Sequence, residues 1–114
     1  MMIALLGLVF GIVIGYYLPL SIPTIYSSYT AVALLAAIDT TFGGIRSSLE
    51  NKFQYPVFVT GFFSNTLLAA LLTYLGDRIG VQLGMAAIVA FGVRIFDNLA
   101  TIRRILLERH LFKN

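Results

Sequence analysis

Three charged residues, Asp39, Arg94 and Asp97, lie inside apolar stretches that are long enough to cross a membrane. A charge at the centre of a membrane helix costs roughly 2.5–3.5 kcal/mol on insertion scales, so three of them cost on the order of 8–10 kcal/mol. Intramembrane charges usually face protein or water, and they usually mark function. The fold of this chain must therefore supply a partner or an aqueous surface for each of them.

Composition points to the same class of protein. Apolar residues make up 59% of the 114 residues and charged residues only 11%, whereas soluble domains carry about 25% charged residues. A soluble fold of this size could not bury so much apolar surface, because a small domain has a large surface for its volume. The length leaves no room for a second domain. The sequence predicts one polytopic membrane domain over residues 1–114.

Four apolar stretches divide the chain, over residues 2–18, 29–49, 57–75 and 81–107. Each approaches or exceeds the roughly 20 residues that a spanning helix needs. Only helices and closed barrels satisfy their backbone groups in lipid, and these stretches show no strand-like alternation. The short links make sequence neighbours antiparallel. We therefore expect an all-α membrane protein with four transmembrane helices.

Basic residues predict the orientation of these helices. The link after the second stretch carries Lys52, with Arg46 just before it, and the C-terminal tail carries further basic residues. Because cytoplasmic loops are rich in Lys and Arg, both termini and this link are expected in the cytoplasm. The first stretch lacks the basic start and the small-residue cleavage site of a signal peptide, so we interpret it as a helix.

The second and fourth stretches share a pattern of residues. An Asp is followed at +7, +10 and +11 by Arg, Leu and Glu, first from Asp39 and again from Asp97. Two related helical hairpins with the same orientation would form a parallel repeat. The alternative is chance, because charge patterns at helix ends recur easily.

A polar cluster is expected near the middle of the membrane. Arg94, Asp97 and Asn98 are spaced i, i+3 and i+4 and share one face of the fourth helix. Asp39 falls at a depth similar to that of Arg94, and Asn65 of the third helix is also near the middle. Because an unpaired charge is prohibitively costly there, we expect Asp39 to pair with Arg94, with Asn65 or Asn98 completing the hydrogen bonds. The cluster fits either a structural network or an ion, proton or ligand site.

Gly7, Gly11 and Gly15 form a row at four-residue spacing on the first helix. Such a row lets another helix backbone approach closely. It fits packing inside the subunit as well as contact between subunits, and we expect a homo-oligomer. A basic face at the cytoplasmic helix ends is expected to meet anionic lipid head groups. Its members are Arg46, Arg103, Arg104 and Arg109.

Features that would indicate catalysis are missing from the sequence. It has no Ser/His/Asp set, no phosphate-binding loop and no metal-binding motif. It has no cysteine, which excludes disulfides and thiolate chemistry, and its one histidine, His110, is expected to be solvated. We therefore expect a non-enzymatic protein without a cofactor, a bound metal or a nucleic-acid partner.

Four segments of the chain resemble a known family. They are residues 6–12 (LGLVFGI), 36–46 (AAIDTTFGGIR), 57–65 (VFVTGFFSN) and 90–104 (AFGVRIFDNLATIRR). These segments are similar to the bacterial small basic protein family, whose uncharacterised membrane proteins are encoded beside cell-division genes. The resemblance covers nearly the whole chain, and charges and glycines coincide as well as apolar positions.

The resemblance implies a multi-pass protein of the bacterial cytoplasmic membrane that interacts with membrane division proteins, as an interaction or scaffold protein. The alternative is a small-ion channel or transporter, formed by oligomerisation around Asp39, Asn65 and Arg94. A fully paired, dry polar cluster inside each subunit would favour the scaffold. Polar residues that face a wet cavity would favour the channel.

Overall fold

The computed structural model describes residues 2–18 and 21–111, which form four α-helices and one short 3₁₀-helix. The helices are α1 (Met2–Tyr17), α2 (Ser27–Leu49), α3 (Tyr55–Ile79) and α4 (Leu83–Leu111), and the 3₁₀-helix Thr24–Tyr26 leads into α2. The expected all-α fold is confirmed. Each predicted helix boundary lies within four residues of the observed one.

Three of the helices are long and apolar enough to cross a membrane. They are the segment Thr24–Leu49 with 26 residues, α3 with 25 and α4 with 29. α1 has only 16 residues, so it is about 24 Å long, while the hydrocarbon core is about 30 Å thick. The structure thus supports a membrane protein with three spanning helices, and a fourth span stays a prediction.

α2 is the central helix, because it packs against both α3 and α4, which also contact each other. The core where the three meet contains Val32, Ala36, Ala69, Ala87 and Phe91. Small side chains dominate it, as expected where helices in lipid associate through close van der Waals packing.

Two helices of the bundle approach each other closely near the start of α4. A Cβ atom built on Gly84 would lie 2.8 Å from the Thr73 hydroxyl oxygen of α3. The turn between these helices also depends on glycine, because Gly80 has a φ of 77° in the left-handed region. This end of the bundle is therefore closely packed.

The link between α2 and α3 ends α2 with a tight turn. Asn51 adopts a φ of 60°, and the Lys52 amide donates a hydrogen bond to the Ser47 carbonyl at 2.8 Å. Pro56 stands in the first turn of α3, where its missing N–H costs nothing. The turn fixes Lys52 and the next residues beside the ends of α2 and α3.

α1 stands apart from the other helices and contains no buried residue. A Cβ atom built on Gly7, Gly11 or Gly15 would meet no atom within 4 Å. Packing of the glycine row inside the subunit is therefore not found among the described residues, and contact between subunits stays a prediction. α1 and α2 also do not pack as α3 and α4 do, so the proposed hairpin repeat is not visible in helix packing.

Candidate polar site at the centre of the helix bundle

Asp39 and Arg94 meet where α2 packs against α4. The Arg94 Nη2 atom lies 3.4 Å from Asp39 Oδ2, and the Asp39 side chain is 0% exposed while that of Arg94 is 55% exposed. The predicted pairing of these two residues is present in the structure. The distance is longer than the roughly 2.7–2.9 Å of a charge-assisted hydrogen bond, so charge attraction holds the pair.

The Asp39 carboxylate lacks hydrogen-bond donors. Within the described part of the chain, no group donates a hydrogen bond to either of its oxygens. The expectation that Asn65 or Asn98 completes these bonds is wrong. Asn98 lies one turn beyond Arg94 and instead accepts a hydrogen bond from Arg46 Nη1 at 3.3 Å. The Asp39 carboxylate is therefore fully buried, and its oxygens lack the hydrogen bonds that they could accept.

A half-open cavity of about 230 Å³ extends from Asp39 towards the link between α2 and α3. Gly43, Gly44 and Gly61 form part of its wall, and a Cβ atom built on Gly61 would meet no atom within 4 Å. Gly61 therefore faces open space on the α3 side of this cavity. We name this space the Asp39 cavity, and its polar lining residues are Asp39, Thr40, Ser47, Lys52, Gln54, Asn65 and Arg94.

Thr40 contributes a further unsatisfied oxygen to this lining. The hydroxyls of Thr41 and Thr73 donate to the carbonyls four residues earlier, at 2.8 and 2.9 Å. The buried Thr40 hydroxyl has no such partner among the described residues. Sequence reasoning missed Thr40, although its position beside Asp39 is the signal that could have found it. Asp39 and Thr40, at the inner end of the cavity, therefore carry buried oxygen atoms that form no hydrogen bond with a described residue.

Asp97 lies outside this cluster, on the exposed side of α4. It belongs to a row of polar residues at spacings of three and four: Arg94, Asp97, Thr101, Arg104 and Glu108. Four of these are exposed and Thr101 is half-buried. We name this row the α4 stripe. It begins at the depth of the Asp39 pair and runs towards the end of α4. From the sequence, Arg104 was assigned to the basic face and Thr101 was not singled out.

The predicted basic face divides into two pairs. Arg46 bonds to Asn98 and lies 3.7 Å from Glu50, while Arg109 donates a hydrogen bond to the Leu49 carbonyl. These two arginines connect the ends of α2 and α4. Arg103 and Arg104 are exposed, and contact of this face with lipid head groups stays a prediction.

Residues 22–107 match a family described as "Protein of unknown function (DUF1290)". The chain belongs to this family. It is similar to the "Small basic protein" of Bacillus subtilis, with 51% identity over 109 residues that cover 96% of this chain and 90% of the relative. Uncharacterized proteins of Mycobacterium bovis and Mycobacterium tuberculosis are 45% identical over 105 residues, which cover 90% of this chain and 87% of each relative. No solved structure matches the chain.

The family match confirms the resemblance to small basic proteins, and it locates the shared part of the molecule. The matched residues begin after α1 and end four residues before the end of α4. They include both Asp39 and Arg94 and most of the α4 stripe. The family description assigns no activity, and the Asp39 pair and the α4 stripe are the two polar features that this shared part contains.

Proposed function

We propose that this chain is a non-enzymatic membrane protein that acts by binding other membrane proteins, beginning with a second copy of itself. The observation that carries the proposal is the α4 stripe, whose exposed charges begin in the middle of a spanning helix. A charge near the bilayer centre costs roughly 2.5–3.5 kcal/mol when it faces lipid. A protein partner that covers Arg94 and Asp97 removes this cost.

The order of charges along the α4 stripe favours a second copy as the partner. Reading down the helix, the signs are plus, minus, neutral, plus and minus. In a parallel pair of helices related by a twofold axis, each residue lies at the depth of its own copy and also near the partner's residues three or four positions away. Arg94 then lies near the partner's Asp97, and Arg104 near the partner's Glu108. A stripe of this composition is complementary to itself.

A cysteine crosslink tests this dimer, because the chain contains no native cysteine. Thr101→Cys lies in the stripe and is expected to form a disulfide-linked dimer when membranes are oxidised. Leu99→Cys is the matched control, because Leu99 is 44% exposed on another face of α4 at a similar depth. Equal crosslinking at the two positions, or none at Thr101→Cys, would refute the interface.

Orientation in the bacterial cytoplasmic membrane is the second part of the proposal. The hydrogen bond from Arg109 to Leu49 brings the end of α4 beside the end of α2. Lys52, Arg103 and Arg104 gather at this end, so the positive-inside rule supports a cytoplasmic location for it. With both termini cytoplasmic, α1 must also cross the bilayer, as a fourth span.

Thiol labelling in intact cells tests this orientation. A cysteine at Ser21 is expected to react with an impermeant reagent, and a cysteine at Asn51 is expected to be shielded until the cells are opened. Both residues are exposed in the structure, so a difference in labelling reports the side of the membrane. Labelling of Asn51→Cys from outside would reverse the orientation.

The most specific part of the proposed function is a scaffold role near the cell-division machinery. Its support is the resemblance to a family encoded beside cell-division genes, together with surfaces of the chain that a dimer through the α4 stripe leaves open. The experiment is the capture of membrane proteins by a photoreactive residue at Gly11 of the open glycine row. Recovery of division proteins supports the role, whereas recovery of this chain alone limits the row to self-assembly.

An ion channel or transporter is a second candidate function, and the Asp39 cavity favours it. The cavity is wide enough for water, and the ion pair of Asp39 and Arg94 lies at its inner end, in the middle of the bundle. On the far side of that pair, the apolar core of Val32, Ala36 and Phe91 interrupts the path within one chain. Transport therefore requires either a conformational change or a path between subunits, and ion flux into proteoliposomes tests for it.

A further inference from the structure

We propose that the Asp39 cavity and the groove between α3 and α4 that adjoins it bind one phospholipid with an anionic head group. The phosphate of this lipid lies at Lys52, and one of its acyl chains lies in the groove. The site goes beyond the proposed function, and it is distinct from the basic face at the ends of α2 and α4.

The charge of the cavity lining is the first observation behind this site. Lys52 and Arg94 bring two positive charges to the lining, and Asp39 brings one negative charge that is already paired with Arg94. The Asp39 oxygens are buried behind the lining and offer no surface to the cavity. A ligand in this space therefore meets an excess of positive charge, which favours an anion.

Donor groups without a protein partner are the second observation. The Lys52 ammonium forms no ion pair or hydrogen bond with another described residue. The guanidinium of Arg94 has several N–H donors, and within the described part of the chain Asp39 is its one partner. The Asn65 side chain also makes no hydrogen bond with a described residue. Phosphate and ester oxygens accept hydrogen bonds from such groups.

The link between α2 and α3 places the mouth of the cavity at a membrane surface, because both helices are long enough to span the bilayer. Lys52 is exposed in this link. Phe53 and Phe58 line the cavity beside it, with their ring centroids 5.4 Å apart, and large aromatic residues are common at the level of lipid head groups. The start of α3, which has no side-chain cap, adds the partial positive charge of a helix N-terminus. The mouth therefore lies at the level of lipid phosphates.

The groove between α3 and α4 continues the cavity towards the middle of the membrane. It has a volume of about 200 Å³, and Asn65 and Arg94 line both spaces. Its other lining residues are Leu, Ala and Phe, among them Leu68 and Ala90. The cavity and the groove follow one face of α3, because their lining residues on this helix recur at spacings of three and four: Phe58, Gly61, Asn65, Leu68 and Leu72.

The order of these lining groups matches the order of groups in a phospholipid. From the link inwards, Lys52 faces the phosphate, Asn65 and Arg94 face the ester carbonyls, and the apolar groove holds an acyl chain. A soluble phosphate anion shares the chemistry of the head group, but it would leave the groove empty. The direct passage from a cationic cavity into an apolar groove therefore favours a lipid as the ligand.

Native mass spectrometry of the full chain in a neutral detergent tests the charge of the site. Phosphatidylglycerol is expected to bind more tightly than phosphatidylcholine. Lys52→Gln should raise the Kd of the first bound phosphatidylglycerol about fivefold, since a basic residue at a membrane surface contributes about 1 kcal/mol, and Lys52→Arg should keep the affinity. Arg103→Gln is the matched control, because it removes the same charge from an exposed position outside the cavity, and it should leave this Kd nearly unchanged.

Filling the groove tests the position of the acyl chain. Ala90 is exposed at the groove, so Ala90→Leu adds bulk there without entering the packed core. This change should raise the Kd for phosphatidylglycerol. Ala100→Leu is the control, because Ala100 is exposed on α4 outside both the cavity and the groove, and it should not affect binding.

These measurements separate a bound lipid from a soluble anion and from general attraction to head groups. Weaker phosphatidylglycerol binding with Lys52→Gln and Ala90→Leu, but with neither control, supports the lipid site. If inorganic phosphate alone raises the unfolding temperature through Lys52, and Ala90→Leu has no effect on phosphatidylglycerol, the ligand is a soluble anion and the lipid is overturned. Equal binding of both lipids, or equal effects of Lys52→Gln and Arg103→Gln, would refute the site.

Discussion

α2 and α4 carry the same arrangement of Asp, Arg, Leu and Glu, yet the two helices place it in opposite surroundings. Asp39 of α2 is fully buried against Arg94, whereas Asp97 of α4 is exposed. The reason is position in the bundle, because α2 contacts two other spanning helices while the stripe side of α4 faces outwards. Identical spacing therefore gives a buried aspartate in one helix and an exposed aspartate in the other.

The largest difference in stability is expected between the arginine that pairs with the buried Asp39 and an arginine of the exposed α4 stripe. Arg94→Gln removes the charge that pairs with Asp39, and a stranded buried charge costs about 3–5 kcal/mol of unfolding free energy. Arg104→Gln changes an exposed residue and should cost less than about 0.5 kcal/mol. Reversible unfolding in detergent measures both. Equal losses of unfolding free energy would mean that the pair of Asp39 and Arg94 contributes no more to stability than an exposed residue does.

A smaller difference is expected between glycines at the packed and open ends of the bundle. Gly84→Ala brings a Cβ within 2.8 Å of the Thr73 hydroxyl, so it should lower the unfolding free energy by about 1–3 kcal/mol. Gly61→Ala points its Cβ into open space and should be neutral or stabilising by about 0.4–1 kcal/mol. The same unfolding assay compares them. A loss for Gly61→Ala as large as that for Gly84→Ala would show that the Asp39 cavity is not open.

The smallest effect is expected at Asp97 itself. If the α4 stripe forms a dimer, Asp97→Asn should weaken it by at most about 1 kcal/mol, which is roughly fivefold in the dissociation constant. Asp77→Asn is the control, because Asp77 is an exposed acid on α3 outside the stripe. Crosslinking through Thr101→Cys reports the dimer. A stronger effect from Asp77→Asn would assign the interface to another surface.

Sequence reasoning succeeded where depth in the membrane decides the answer. The apolar stretches gave the helices, and the similar depths of Asp39 and Arg94 gave their pairing, which the structure contains. It failed where the answer depends on the direction in which a side chain faces around the helix axis. Asn98 was expected at the pair, but it turns towards Arg46. The cavity depends on how far apart α2 and α3 stand at Gly61, and no local pattern of residues specifies that distance.

The behaviour of α1 was also beyond local reasoning. Its glycine row predicts a close contact, and the row is open in the isolated chain. Whether such a row is used depends on a partner surface, which one sequence does not contain. The proposed contact between subunits explains the open row without conflict with the packing of the other three helices.

The coupling energy of Arg94 with each aspartate tests the central contrast most directly. Two double-mutant cycles are needed, one that combines Arg94→Gln with Asp39→Asn and one that combines it with Asp97→Asn, with unfolding free energy measured at monomeric concentration. The ion pair at 3.4 Å predicts a coupling of about 1 kcal/mol or more with Asp39 and additivity within about 0.5 kcal/mol for Asp97. Additivity with Asp39 together with coupling to Asp97 would contradict the account and make Asp97 the partner of Arg94.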